Sequence, residues 1–186
     1  MHELPRFRLV VGLGNPGREY ADTRHNVGFM LLDRLASRDR ADWRHERRWQ
    51  ADVAKAGAVY LAKPLTYMNL SGQTVRSIAD FYKIEPAQIL VVLDDFALPL
   101  GKLRFRPTGS SGGHNGLQSV IEHLGTPAVP RLRIGIGSAE RAAVDHVLGR
   151  FALEEREPLA QSLGRALEAI DCAQTRGLDA AMNHYN

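Results

Sequence analysis

Two short runs in this chain are apolar from end to end. One is Leu9-Val10-Val11-Gly12-Leu13, introduced by Arg8, and the other is Ile89-Leu90-Val91-Val92-Leu93, which runs into Asp94-Asp95. Five consecutive apolar residues, mostly branched and closed by glycine or acid, are too short for a helix and read as buried β-strands. Between and after them apolar residues return at helical spacing. From Val27 they recur at Phe29, Met30, Leu32 and Leu35, and over 71–82 Val75, Ile78, Ala79 and Tyr82 share a face. A short helix is predicted over 117–124 and a long one over 154–175, with strands over 102–106 and 132–136 and a hairpin of 51–56 and 58–62 around Gly57. Strands alternating with helices predict an α/β fold. The expected form is a three-layer α/β/α domain over 1–186, with a mostly parallel, mixed twisted sheet flanked by helices.

Length and composition fit that expectation. The chain has 186 residues, 44% hydrophobic and 24% charged, which excludes wholesale disorder and collagen-like repeats. A chain of this size buries a core without a disulfide or metal staple. Its single cysteine, Cys172, rules out an internal disulfide and any Cys-x-x-Cys motif. No apolar run approaches the roughly 20 residues that span a bilayer. The start, Met1-His2-Glu3-Leu4-Pro5-Arg6, lacks the build of a signal peptide. A cytoplasmic, soluble monomer is expected.

Charge is unevenly spread. The net charge is +3, yet residues 101–150 hold seven Lys+Arg against three acids, while 151–186 hold three against six. Only Lys55, Lys63, Lys83 and Lys102 among the 24 basic residues are lysine. Arginine's planar fork suits phosphate, although codon usage can produce the same ratio. The stretch 34–48, with six arginines against three acids, reads as a solvated face.

Two glycine-rich strings invite familiar readings. Gly12-Leu13-Gly14-Asn15-Pro16-Gly17 matches G-x-G-x-x-G after a strand, but a dinucleotide site needs the helix to begin inside the string. Here helical periodicity starts near Val27 and Pro16-Gly17 marks a turn. Gly109-Ser110-Ser111-Gly112-Gly113 matches G-x-S-x-G, but it follows Pro107 rather than a strand end and leads through Gly113-His114-Asn115-Gly116 before any helical pattern. It reads instead as a loop rich in free N–H groups feeding a helix N-terminus, an arrangement suited to anions or a sugar-phosphate backbone. Lys102, Arg104 and Arg106 precede it, and Arg131 and Arg133 follow.

Asn15, Asn26, Asn69 and Asn115 lie in turn-like contexts, where asparagine is common for its backbone tolerance alone. Together with His25, His114 and Asp94 they occupy loops, two of which leave the predicted strands at the ends where open α/β sheets build sites. A neutral amide can read a carbonyl, and a histidine fixed by a buried aspartate can act as a general base. No metal-ligand spacing and no credible serine or cysteine nucleophile accompany them, so no metal or other cofactor is expected. The remaining chemistry is attack by an activated water.

These residues fall in motifs that resemble the bacterial-type peptidyl-tRNA hydrolases. The matching strings are Val11-Gly12-Leu13-Gly14-Asn15-Pro16-Gly17 with Tyr20, and Thr23-Arg24-His25-Asn26-Val27-Gly28. Further on come Lys63-Pro64-Leu65-Thr66-Tyr67-Met68-Asn69-Leu70-Ser71-Gly72, Gly112-Gly113-His114-Asn115-Gly116 and Arg131-Leu132-Arg133-Ile134-Gly135-Ile136-Gly137. The resemblance implies cleavage of the ester joining a peptide to the 3′ end of tRNA, with peptidyl-tRNA as partner. It implies His25 as general base and Asp94 as the residue that holds it. Asn15 would tell an N-blocked substrate from free aminoacyl-tRNA, and Tyr20, Tyr67, Asn69 and Asn115 would line the cleft. Asn69 would also polarise the ester carbonyl, His114 would support the site, and Arg106 and Arg133 would grip the 5′ phosphate of the tRNA. Ala97 stands where the family usually carries an acid, which leaves the cleft wall open to question. A non-catalytic RNA-binding protein on the same scaffold, or a small-molecule esterase without RNA affinity, are the competing classes.

Overall fold

The computed structural model describes residues 6–137 and 143–186. The strands are β1 (Leu9–Gly12), β2 (Arg44–Glu46), β3 (Ala51–Ala56), β4 (Val59–Pro64), β5 (Ile89–Asp95), β6 (Leu103–Arg106) and β7 (Arg131–Gly135). The helices are α1 (Val27–Arg38), α2 (Ser71–Tyr82), α3 (Asn115–Leu124), α4 (Ala143–Val147), α5 (Arg156–Arg176) and α6 (Leu178–Tyr185). The strands form one sheet in the order β2-β3-β4-β1-β5-β7-β6. The four central strands are mutually parallel, and β2, β3 and β6 add antiparallel margins. The sheet is therefore parallel where the site lies and mixed as a whole.

The unbroken apolar runs follow from burial on two sides. Leu9, Val11, Ile89, Val91 and Leu93 point into a core closed by Val75 and Ile78 of α2 and Leu117 and Val120 of α3. Val10, Leu90 and Val92 point the other way, into a core closed by Leu31 and Leu35 of α1 and by Leu163, Ala166 and Ile170 of α5. These are the three expected layers. No helix among the described residues is long and apolar enough to cross a membrane.

Some elements depart from the expectation. The charged stretch 34–48 is not one solvated face: it closes α1, where Arg38 pairs with Asp171 of α5 at 2.8 Å, and then forms the edge strand β2. Three residues with little apolar content give no period to detect. Asn115 opens α3 instead of preceding it, because His114 is the N-cap and its ring accepts from the Leu117 N–H. α6 was not anticipated. Gly177, at φ 100°, breaks the chain from α5 and lets α6 turn back along β6. Asn186 then finishes the sheet edge: its Oδ1 accepts from the Phe105 N–H at 2.7 Å and its Nδ2 donates to the Phe105 carbonyl at 3.1 Å. An amide side chain thus does for β6 what another strand would do, and covers an otherwise open edge.

Truncating that amide should be measurable. Asn186→Ala is expected to lower stability by about 1–2 kcal/mol in urea unfolding, since it removes two partly buried hydrogen bonds. The Phe105 amide should lose hydrogen-exchange protection with it.

Candidate active site

Three connections rise from the carboxyl ends of the central strands. After β1 the chain runs without regular structure to a single 3-10 turn, Arg24–Asn26, that leads directly into α1. After β4 another 3-10 turn, Met68–Leu70, leads into α2. β5 ends with Asp94 and Asp95 inside the strand itself. α1 and α2 pack on opposite faces, which leaves a crevice between adjacent strands where open α/β sheets bind ligands.

His25 reaches Asp94 because α1 starts unusually close to the sheet. A Cβ on Gly28 would lie 2.6 Å from the Val92 carbonyl oxygen and 2.7 Å from that of Leu13, and a Cβ on Gly12 would lie 2.5 Å from the Gly28 oxygen. Only paired glycines allow this approach. The glycine that ends the first strand therefore serves helix packing, and no helix begins within the G-x-G-x-x-G string.

The centre of the site is the Asp94 carboxylate, 3% exposed. His25 Nδ1 lies 2.8 and 2.9 Å from its two oxygens, and His114 Nε2 lies 2.8 Å from Oδ1. Both imidazoles donate. His114 is fixed as the Nε2–H tautomer, because its Nδ1 accepts from the Leu117 N–H at 3.2 Å. The His25 proton sits on Nδ1, facing the carboxylate, so its Nε2 carries the free lone pair. Burial pushes the Asp94 carboxyl up, but the two imidazoles outweigh it and hold the pKa down at about 2, against 3.8. The three ligand-type atoms lie within 4.8 Å, a spacing that could suit a cation. A metal on His114 Nε2 would move that proton to Nδ1, against another N–H donor. The donor set fits a hydrogen-bonded relay better.

Asn15 is held from three sides. The Asn26 side-chain amide pairs with its backbone, accepting from Asn15 N at 2.8 Å and donating to Asn15 O at 2.9 Å. The Asn15 Oδ1 accepts from the Met68 N–H at 2.8 Å. This fixes the side chain's orientation and leaves its Nδ2 as a donor without a protein partner among the described residues.

The cavity at this centre has a volume of about 120 Å³. His25, Asp94, His114, Asn115 and Arg133 line it, five of the residues singled out by sequence. Asn15 borders a neighbouring hollow with Asn26, Phe29 and Lys63. Tyr67 and Asn69 are exposed and line neither; they flank Met68, whose N–H is bound by Asn15, and Tyr20 is half-buried in the connection after β1. Arg106 is exposed on β6. Ala97 is also exposed and does not line the cavity; its N–H donates to Asp95 Oδ1 at 2.8 Å, a turn in which alanine suffices. Sequence reasoning missed the apolar wall of Phe96, after β5, and Val144 and Val147, in the short α4, which are too few and too far apart in the chain to form a pattern.

It also missed what Arg131 does. Register pairs Arg104 with Arg133 and Arg106 with Arg131, and Leu103, Phe105, Leu132 and Ile134 fill the core on the opposite face. Period-two alternation thus puts four arginines on one face. Arg131 is fully buried and donates to the carbonyls of Gly109, Ser110, Pro127 and Val129, stapling the glycine-rich segment. Burial first, and then Arg133 beside it, lower its pKa to about 10, so it stays charged at neutral pH.

The sequence pattern of the family described as peptidyl-tRNA hydrolase matches residues 9–186. The chain belongs to the peptidyl-tRNA hydrolase family. It is 52% identical to the peptidyl-tRNA hydrolase of Synechococcus sp. (strain JA-2-3B'a(2-13)), with 97% of this chain and 83% of that protein covered. It is 49% identical to that of Gloeobacter violaceus, covering 97% and 94%. The crystal structure of the Acinetobacter baumannii peptidyl-tRNA hydrolase superposes with a TM-score of 0.93 at 34% identity, covering 100% of this chain and 97% of that one. In this fold the candidate residues come from a few connections: Asn15, Tyr20 and His25 follow β1, Tyr67 and Asn69 follow β4, Asp94 ends β5, and His114 and Asn115 open α3.

Because Asp94 is ionised when folded well below the usual carboxylate range, its contribution to stability is complete above about pH 4 and is lost as the pH falls toward about 2. The melting temperature of Asp94→Asn should therefore fall less steeply than that of the native protein between pH 4 and pH 2, as read by thermal unfolding across that range.

Proposed function

We infer that this chain hydrolyses the ester between a peptide and the 3′ end of tRNA, with His25 as the general base. The observation that carries the reading is the Asp94–His25 bond at Nδ1, which leaves Nε2 free to take a proton. His25 removes a proton from water as the water attacks the ester carbonyl. The imidazolium that forms is stabilised by the buried Asp94 carboxylate, and the 3′ hydroxyl of the terminal adenosine leaves. Base catalysis of this kind contributes roughly 10²–10⁴-fold, and one donor to the developing oxyanion about 3 kcal/mol. Asn69 is the donor we assign to the oxyanion, with Asn115 beside the reacting group.

The oriented Nδ2 of Asn15 supports a role in choosing the substrate. A neutral donor fits the carbonyl of an N-acylated residue, whereas a free aminoacyl group offers an ammonium, which cannot accept a hydrogen bond. Tyr20 and Tyr67 complete the surface along which the peptide and the terminal nucleotides lie. His114 keeps Asp94 ionised and in place. The arginine face of β6 and β7 suits tRNA phosphates, with Arg106 exposed and Arg133 at the cleft, 3.6 Å from Asp95. Phosphate contacts carry no sequence information, so one enzyme accepts many tRNAs. A single chain supplies every group the reaction needs, and we expect it to act as a cytoplasmic monomer.

His25→Ala should abolish ester release from N-acetyl-aminoacyl-tRNA while leaving tRNA affinity within about twofold. Retained hydrolysis would remove the base, and a native protein that binds RNA without releasing the ester would mark a non-catalytic relative. Arg133→Ala should raise KM and flatten the dependence of log affinity on log salt by about one unit. Binding assays from low to physiological salt measure that slope directly.

A further inference from the structure

Arg24 precedes His25 in the same 3-10 turn, yet its side chain takes no part in the relay. It reaches away, to the segment that carries the apolar wall of the cleft. Its guanidinium donates to Glu155 Oε1 at 2.7 Å and to the His146 carbonyl at 3.3 Å. The Arg24 backbone N–H donates to the Gly149 carbonyl at 2.9 Å, and Thr23 bridges to Arg150. The same Glu155 oxygen accepts from the Ala152 N–H at 2.8 Å, and the guanidinium lies 5.6 Å from the ring centre of Phe151.

The pair is well shielded, with the Arg24 and Glu155 side chains 14% and 21% exposed. Breaking such a pair from one side leaves a poorly solvated charge behind, unlike the loss of a surface ion pair. The fit is also tight: a Cβ on Gly149 would lie 2.7 Å from an Arg24 terminal nitrogen. Phe151 anchors the far end of the segment in the core, and the Arg24 contacts hold the part nearer the cleft. Among the described residues α4 spans Ala143–Val147, and Val144 is 66% exposed where it lines the cavity. His146 Nε2 adds one bond to the Ile136 carbonyl at 3.2 Å.

We propose that Arg24 is a positioning residue, a latch that ties the segment 146–155 to the turn bearing His25 and so sets the distance between the base and the Val144–Val147 wall of the cleft. The proposal rests on reading His25 as the base. Its consequence for the reaction is specific. The wall packs against bound substrate before and during ester attack, so loosening it weakens the ground state and the transition state alike. The orientation of His25 is set by Asp94, on the other side of the ring, and does not depend on the latch.

The test is steady-state hydrolysis of N-acetyl-aminoacyl-tRNA by Arg24→Ala, Glu155→Ala and the double variant, with the pH profile of kcat recorded for each. We expect KM to rise about tenfold in either single variant, with kcat within about twofold and its pH profile unmoved. The double variant should be no worse than the singles, because both remove one interaction. Arg24→Lys keeps the charge without the fork and should recover part of the loss. Additive effects on KM, an unchanged KM in Glu155→Ala, or a fall in kcat with KM intact would overturn the latch, the last by showing that Arg24 serves His25 instead. If Arg24→Ala does not fold, Glu155→Ala decides alone: a raised KM supports the latch and an unchanged one sinks it. His25→Ala in parallel separates the two readings, since turnover surviving there would refute the base while leaving the KM comparison intact.

Discussion

A buried carboxylate with two imidazoles on it organises this molecule. Asp94 sits in the sheet, nearly inaccessible to water, where an unpaired negative charge would not be tolerated. His25 and His114 arrive from different layers, one ahead of α1 and the other capping α3, and each gives it a hydrogen bond. The carboxylate therefore joins the two helical layers through polar contacts as well as serving the site between them. The pairing also has a direction. His114 is locked into one tautomer by the first turn of α3, so it can only donate, and Asp94 remains an acceptor for His25. A second histidine that could exchange its proton would make the tautomer of the first uncertain.

Much of this was legible in the sequence, for identifiable reasons. The strands of the centre were evident because burial on both faces leaves only apolar residues, and α2, α3 and α5 because each buries one face. Asn15, His25 and Asp94 stood out as polar residues near the ends of the two apolar strands, Asn69 and Asn115 as asparagines in other loops, and the resemblance to the family gave them expected roles. What escaped has physical causes too. β2 is an edge of three charged or polar residues whose identity as a strand comes from pairing with β3 rather than from its own pattern. α6 depends on a glycine at positive φ and on the free edge of β6, both tertiary facts. The apolar wall of the cleft comes from residues that are individually ordinary. Gly28 carried no evident meaning in sequence, yet its missing side chain is what lets His25 approach Asp94.

Neutral amides recur wherever the backbone must be held without charge. Gln174 pairs with Phe7 through bonds of 2.8 and 2.9 Å, Asn26 pairs with Asn15, and Asn186 with Phe105. In each, one side chain presents a donor and an acceptor to the N–H and C=O of a single residue, as a neighbouring strand would. At Asn15 this has a further effect. With its backbone fixed by Asn26 and its side-chain oxygen taken by Met68, the only freedom left to the residue is which ligand its NH₂ meets. Rotation of the amide would exchange this donor for an acceptor, and the bond from the Met68 N–H opposes it.

Charge of both signs borders this cleft, but unevenly. In the cavity at His25 the anions Asp94 and Asp95 lie beside one cation, Arg133, which is 3.6 Å from Asp95. The cations lie along β6 and β7, and the most buried of them, Arg131, is spent on backbone carbonyls rather than on a carboxylate. Its charge is therefore not cancelled locally, and it adds to the field of Arg104, Arg106 and Arg133 on the same face. In the reading proposed above, the phosphates of a tRNA would be drawn to that face and its uncharged terminal ester to the cleft beside it. The two fields meet rather than lie apart: β7 is the strand next to β5, and Arg133 stands at the border between the aspartates and the arginine face.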